Sequence, residues 1–220
     1  MAQPEIVAQK EKKFGVVAQN ALGIYLKEIK MLAKEIPADS DLAVRLFDSG
    51  IYEARLLCSK IFDPQALTRQ LAEKWVVTFD NWEICDSFSM TIFARSPLAV
   101  SLIRTWESRT PEFEKRAAFA TIAAYCMADK KAANEQFLAF LPMIEAAADD
   151  DRIYVKKAVN WALRSIGKRN RDLQQEAISC AQRILQQESK AARWIATNAL
   201  KELEKENVRI SDYPRAIYRP

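Results

Sequence analysis

The sequence predicts an all-α fold of about twelve short helices, stacked as antiparallel pairs in a solenoid. The prediction starts from residue usage. Only 4 of 220 residues are Gly, while 33 are Ala, against an average Gly usage of about 7%. Sheets draw on glycine for hairpins and bulges, and dinucleotide folds need it beside the pyrophosphate. Apolar residues also recur at helical spacing, as in Leu67, Leu71, Trp75 and Val76. A third observation is a repeated pattern of a charged residue followed by small and apolar ones. It occurs at Arg55, Asp86, Arg116, Lys157 and Arg193, with spacings of 31, 30, 41 and 36 and a mean of 34.5. That mean is near the period of two-helix solenoid repeats, whose pairs bury a face only by stacking on neighbours.

Prolines and capping residues divide the chain into the predicted helices. These run over 5–20, 23–36, 39–49, 51–62, 64–79, 81–95, 97–109, 111–128, 132–148, 152–169, 171–187 and 189–206. Pro64, Pro97 and Pro111 follow Asp63, Ser96 and Thr110, which places proline at the first helical position behind a good N-cap. No Gly/Ser linker separates the pieces, so the expectation is a single domain over 1–220 with a tail at 207–220.

Composition excludes several chemistries. The chain has no His, which removes Ser-His and Cys-His nucleophile pairs, His-ligated zinc and imidazole acid–base catalysis. Cys58, Cys85, Cys126 and Cys180 form no C-x-x-C pair, so they read as buried small hydrophobes rather than metal or redox groups. No metal or organic cofactor is expected. The N-terminal MAQPEIVAQKEKKFG lacks an apolar core, and no stretch approaches about 18 uncharged apolar residues. A soluble, cytoplasmic protein without a membrane partner is the expectation. Charge is uneven: residues 152–220 hold 15 Lys and Arg against 7 Asp and Glu, a net +8, within a chain of net +4. A basic C-terminal third reads either as a solvated face or as a surface for nucleic acid or another polyanion.

Two helices depart from a plain core pattern. In 154–168, with Val155 at 0°, Val155, Ala158, Val159, Ala162, Leu163 and Ile166 fall between about 300° and 80°, a buried stripe. Trp161 lies at about 240°, among Tyr154, Lys157, Arg164 and Lys168. An aromatic flanked by cations suits sugar or base contact in a phosphate-binding groove. In the helix opening N-W-E-I-C-D-S-F, Trp82 and Asp86 are i and i+4 and share a face. The alternative for this pair is that Trp82 is core and Asp86 a cap or an ion-pair partner. Asp86 is also the one anion where the other repeats carry cations, and a pure phosphate binder gains nothing from an anion there.

The segments F-D-N-W-E-I-C-D-S (79–87), E-K-R-A-A-F (114–119) and V-K-K-A-V-N-W-A-L-R-S-I-G-K-R-N (155–170) resemble the AlkD-type DNA alkylation repair proteins. The resemblance covers about 23–205, leaving 1–22 as a diverged N-terminal helix. It implies a right-handed solenoid of HEAT-like repeats and a DNA glycosylase that excises alkylated purines. By the same resemblance, Trp82 and Trp161 match tryptophans that contact the lesion's deoxyribose, Asp86 matches the catalytic carboxylate, and Arg116 and Arg164 match arginines facing DNA. Lys157, Lys168 and Arg193 complete the expected DNA-binding set. The family's lesion-side tyrosine near the N-terminus has no motif match here.

The expected activity is therefore hydrolysis of the N-glycosidic bond of cationic N3- or N7-alkylated purines in duplex DNA, without base flipping. Such a base already carries positive charge and leaves without a general acid, so no His is required; a fixed carboxylate stabilises the sugar cation and positions water. The competing expectation is a non-catalytic helical-repeat module that binds nucleic acid or an acidic protein partner, since solenoids are mostly scaffolds. A structural helical protein with a solvated basic face is the third.

Overall fold

The computed structural model describes residues 2–214. These residues form thirteen α-helices and two short 3₁₀ turns, with no strand among them, and the chain divides within one helix into two compact units, 1–100 and 101–220. The all-α prediction holds.

The first unit contains α1 (Pro4–Phe14), α2 (Leu26–Glu35), α3 (Ser40–Asp48), α4 (Tyr52–Ile61), α5 (Arg69–Val76) and α6 (Trp82–Thr91). Helices α3 and α4 form a packed pair, and α4 is flanked by α2 and α6. Its core is aromatic: Trp75 packs within 5.0–5.4 Å of Phe47, Phe62 and Phe88, and all four are buried. N-caps fall where short polar residues precede apolar runs. Asp39 accepts from the Leu42 amide at 2.8 Å, Thr68 from Leu71 at 3.1 Å, and Asn81 from Glu83 and Ile84 at 3.0 and 3.2 Å, satisfying donors that a helix start leaves open.

The second unit contains α8 (Glu112–Ala128), α9 (Asn134–Leu138), α10 (Leu141–Ala146), α11 (Ile153–Gly167), α12 (Arg171–Leu185) and α13 (Lys190–Leu203); the division falls within α7 (Ala99–Trp106). Helix α11 is central, packed on α8, α12 and α13. The close approach is allowed by Gly167, where a Cβ would stand 2.8 Å from both Leu203 methyls and 3.0 Å from Ala177. Val155, Ala158, Val159, Ala162, Leu163 and Ile166 are all buried, as the helical period predicts.

Several predicted boundaries shift for local reasons. The helix predicted over 5–20 stops at Phe14 because Gly15 adopts the left-handed conformation, φ 65°, and caps it. The segment 132–148 forms two helices, because Pro142 has no amide hydrogen to offer the Leu138 carbonyl. Pro64 opens a 3₁₀ turn capped by Asp63, and α5 starts only at Arg69. Pro97 lies in the turn before α7, and Pro111 is itself the residue preceding α8. All four cysteines are free and buried, and burial pushes the thiols of Cys58, Cys126 and Cys180 up to about 12, as expected of inert hydrophobes. No helix is long and apolar enough to cross a membrane among the described residues.

Candidate functional site

In the first unit, Trp82 opens α6 and Asp86 follows one turn later; both are half-buried. They do not share the surroundings of the buried face, which Ile84, Cys85 and Phe88 occupy. The Trp82 indole N–H donates to the Phe14 carbonyl at 2.9 Å, so the last residue of α1 fixes the plane of the ring. Helix α1 is held in turn by Lys10, whose ammonium lies 2.7 Å from Glu83 Oε2 and 5.2 Å from the centre of the Tyr52 ring. The Tyr52 hydroxyl donates to Glu83 at 2.8 Å and lies 3.1 Å from Asn81 Oδ1. Burial, then the neighbouring Glu83 charge, raises the Tyr52 pKa far above the ordinary phenol value, keeping it a donor.

Trp82 lines an open cleft of about 670 Å³ together with Lys10, Phe14, Tyr25, Lys27 and Met31. Phe14, Tyr25 and Met31 are 49%, 39% and 56% exposed, so the cleft presents three aromatic rings and a thioether to solvent. Tyr25 is positioned by a 2.6 Å hydrogen bond to Gln9, and the loop before it is gathered by the Glu53 carboxylate, which accepts from the amides of Leu22, Gly23 and Ile24. Sequence reasoning missed Tyr25 and Phe14 because only folding brings residues 57 and 68 positions upstream beside Trp82.

In the second unit, Trp161 is half-buried on α11, outside the core stripe, and Lys157 is exposed one turn before it. Arg164 and Lys168 continue this face, and both pair with Glu202 of α13, Lys168 at 2.7 Å. Burial alone would raise the Glu202 pKa, yet the bonds from Lys168 and Arg164 hold it below the ordinary carboxylate value. Arg116 of α8 is buried, 6% exposed, donates to the Tyr154 carbonyl and stands 6.0 Å from the Tyr154 ring, so it braces the start of α11. Arg193 is exposed on α13. Of the four cations at the repeat position, Arg55 and Arg116 thus serve internal carbonyls, while Lys157 and Arg193 face solvent. Among the described residues no group of three His, Cys, Asp or Glu is placed to hold a metal ion.

A sequence model described as DNA alkylation repair enzyme matches residues 2–203. The chain belongs to the DNA alkylation repair enzyme family. The match agrees with the resemblance over about 23–205 and also takes in the N-terminal segment that the sequence reading set aside as diverged. Two solved structures have the same fold. One is of a protein from a new family related to the HEAT-like repeat DNA glycosylases with affinity for branched DNA structures, with a TM-score of 0.73 at 18% identity, covering 95% of this chain and 92% of that one. The other is AlkD2 from Streptococcus mutans, with a TM-score of 0.62 at 20% identity, covering 90% and 97%. No curated protein sequence matches the chain. The fold class is that of the HEAT-like helical-repeat proteins.

Proposed function

We propose that this member of the DNA alkylation repair enzyme family is a monofunctional DNA glycosylase acting on N3- or N7-alkylated purines in duplex DNA. The observation that carries the reading is the pair on α6: an indole opening onto an aromatic cleft and a carboxylate one turn away, both half-buried. An alkylated purine is cationic, so its bond to C1′ breaks with the electron pair leaving on the base. The sugar becomes oxocarbenium-like, Asp86 stabilises that charge, and water adds at C1′ while its proton passes to the carboxylate and then to solvent. The products are the free base and an abasic site. Trp82 supplies an aromatic face to the cationic deoxyribose, an attraction of about 0.5–2 kcal/mol, and Trp161 is assigned the same role by the family resemblance alone. Lys157 and Arg193 supply phosphate contacts, and Arg164 and Lys168 join them where phosphate displaces Glu202.

The test is release of N7-methylguanine and N3-methyladenine from methylated duplex DNA in single turnover. Wild type releases base, and Asp86→Asn, which keeps the size but not the charge, lowers the rate at least several tens-fold; loss of a preorganised electrostatic group costs about 10²–10³. Equal rates would remove Asp86 from the mechanism. A wild-type protein that binds DNA but releases no base would leave the second reading, a non-catalytic nucleic-acid module, which the solvent-facing cations of α11 and α13 support by themselves.

A further inference from the structure

Helix α13 carries a surface of which the glycosylase reading uses Arg193 alone. Its buried face is built from Ala191, Ala192, Ile195, Ala196, Ala199 and Leu203. With Ile195 at 0°, these fall between about 320° and 100°, while Trp194, Lys190, Thr197 and Lys201 cluster between about 200° and 260° on the opposite side. Trp194 is 41% exposed. It is flanked by Lys190, Arg193, Asn198 and Lys201 in an open groove of about 490 Å³, and Lys156 of α11 stands 5.3 Å from the centre of its ring. The groove lining contains no acidic side chain, and among the described residues no ion pair engages Lys190, Arg193 or Lys201.

We infer that this face of α13 binds a single-stranded DNA segment, with an unpaired base stacked on Trp194 and the backbone phosphates on Lys190, Arg193 and Lys201. The inference rests on the reading of the protein as a DNA repair factor and adds a second kind of contact to it. Two features of the face select this occupant. An indole left in water beside four cations is suited to a ligand that brings both a flat π-face and repeated negative charge, and every unpaired nucleotide does so. The spacing also fits: Lys190 to Lys201 spans about 16 Å at 1.5 Å per residue, so the cations lie along several successive phosphates of one strand and do not converge on a single one. A paired duplex offers phosphates but keeps its base faces stacked, so it engages the cations and not the ring.

The experiment compares wild type, Trp194→Ala and Trp194→Phe by fluorescence anisotropy with a 20-residue oligothymidylate and with an undamaged 20-base-pair duplex. Trp194→Ala is expected to weaken oligothymidylate about tenfold, within the range for losing one base–aromatic stack, and to change duplex affinity less than twofold; Trp194→Phe retains most of the binding. Lys190→Ala and Lys201→Ala each lower the salt slope for oligothymidylate by about 0.7. Unchanged single-strand affinity in Trp194→Ala would overturn the inference, as would an equal loss toward both DNAs. Displacement of oligothymidylate by polyglutamate with the same Trp194 dependence would overturn it in favour of an acidic protein partner. Duplex binding without oligothymidylate binding overturns this inference alone, whereas binding to neither DNA overturns the functional reading beneath it.

Discussion

Replacing Glu202 by Gln removes the one carboxylate that Arg164 and Lys168 share. In wild type the three side chains together carry +1, so one cation's worth of charge is held back from any phosphate that approaches α11. The glutamine variant carries +2 at the same place. Each added phosphate contact contributes about 0.9 to the slope of log affinity against log salt. One extra contact is therefore worth about eightfold at 0.1 M salt relative to 1 M. The cost to folding is small, because the paired side chains are 27–34% exposed and such pairs contribute about 0.2–1 kcal/mol each. A total near 1 kcal/mol lowers Tm by about 2–4 °C for a chain of this size. The sign of the pH dependence follows from the depressed Glu202 pKa. Its contribution to stability is complete above the ordinary value of 4.5 and is lost as pH falls through the lower folded value, so at pH 7 wild type holds the clamp fully ionised. Anisotropy titrations of a duplex between 50 and 300 mM salt measure affinity and slope, and thermal melts of the two proteins measure the cost to folding. Glu202→Gln with a slope steeper by about 0.9 supports phosphate contact at Arg164 and Lys168. An unchanged slope and affinity would refute it, leaving the pair as braces between α11 and α13.

Trp161→Ala is expected to cost about 1 kcal/mol in urea melts, typical of a partly exposed site, and to lower base release about tenfold; the same change at the fully buried Trp75 costs about 3–5 kcal/mol. Equal destabilisation by the two substitutions would return Trp161 to the core. A thiol reagent at pH 8 is expected to find no fast-reacting cysteine in the native protein and four after denaturation, since all four are buried and three have pKa values pushed up to about 12 by that burial. A native thiol that reacts within seconds would contradict this.

What the sequence determined by itself was whatever depends on neighbours one or two turns away. Glycine scarcity and the 3.6-residue period specified helices, short polar residues such as Asn81 and Ser189 set helix starts, and the wheel of α11 separated Trp161 from the core stripe. The same wheel applied to α13 exposes Trp194, so that surface was legible too. Proline was less informative, because a proline disrupts the backbone bond it cannot donate but does not say whether a 3₁₀ turn, a bend or a helix follows, as Pro64, Pro97 and Pro111 illustrate. Only the tertiary structure decided which charges are available. Glu202 meets Arg164 and Lys168 across 38 and 34 residues, Lys10 reaches Glu83 across 73, and Arg116 turns to a carbonyl of α11. A helical period fixes the direction in which a side chain leaves its own helix. The partner waiting there is supplied by another helix, and its identity depends on packing between segments that are distant in the chain.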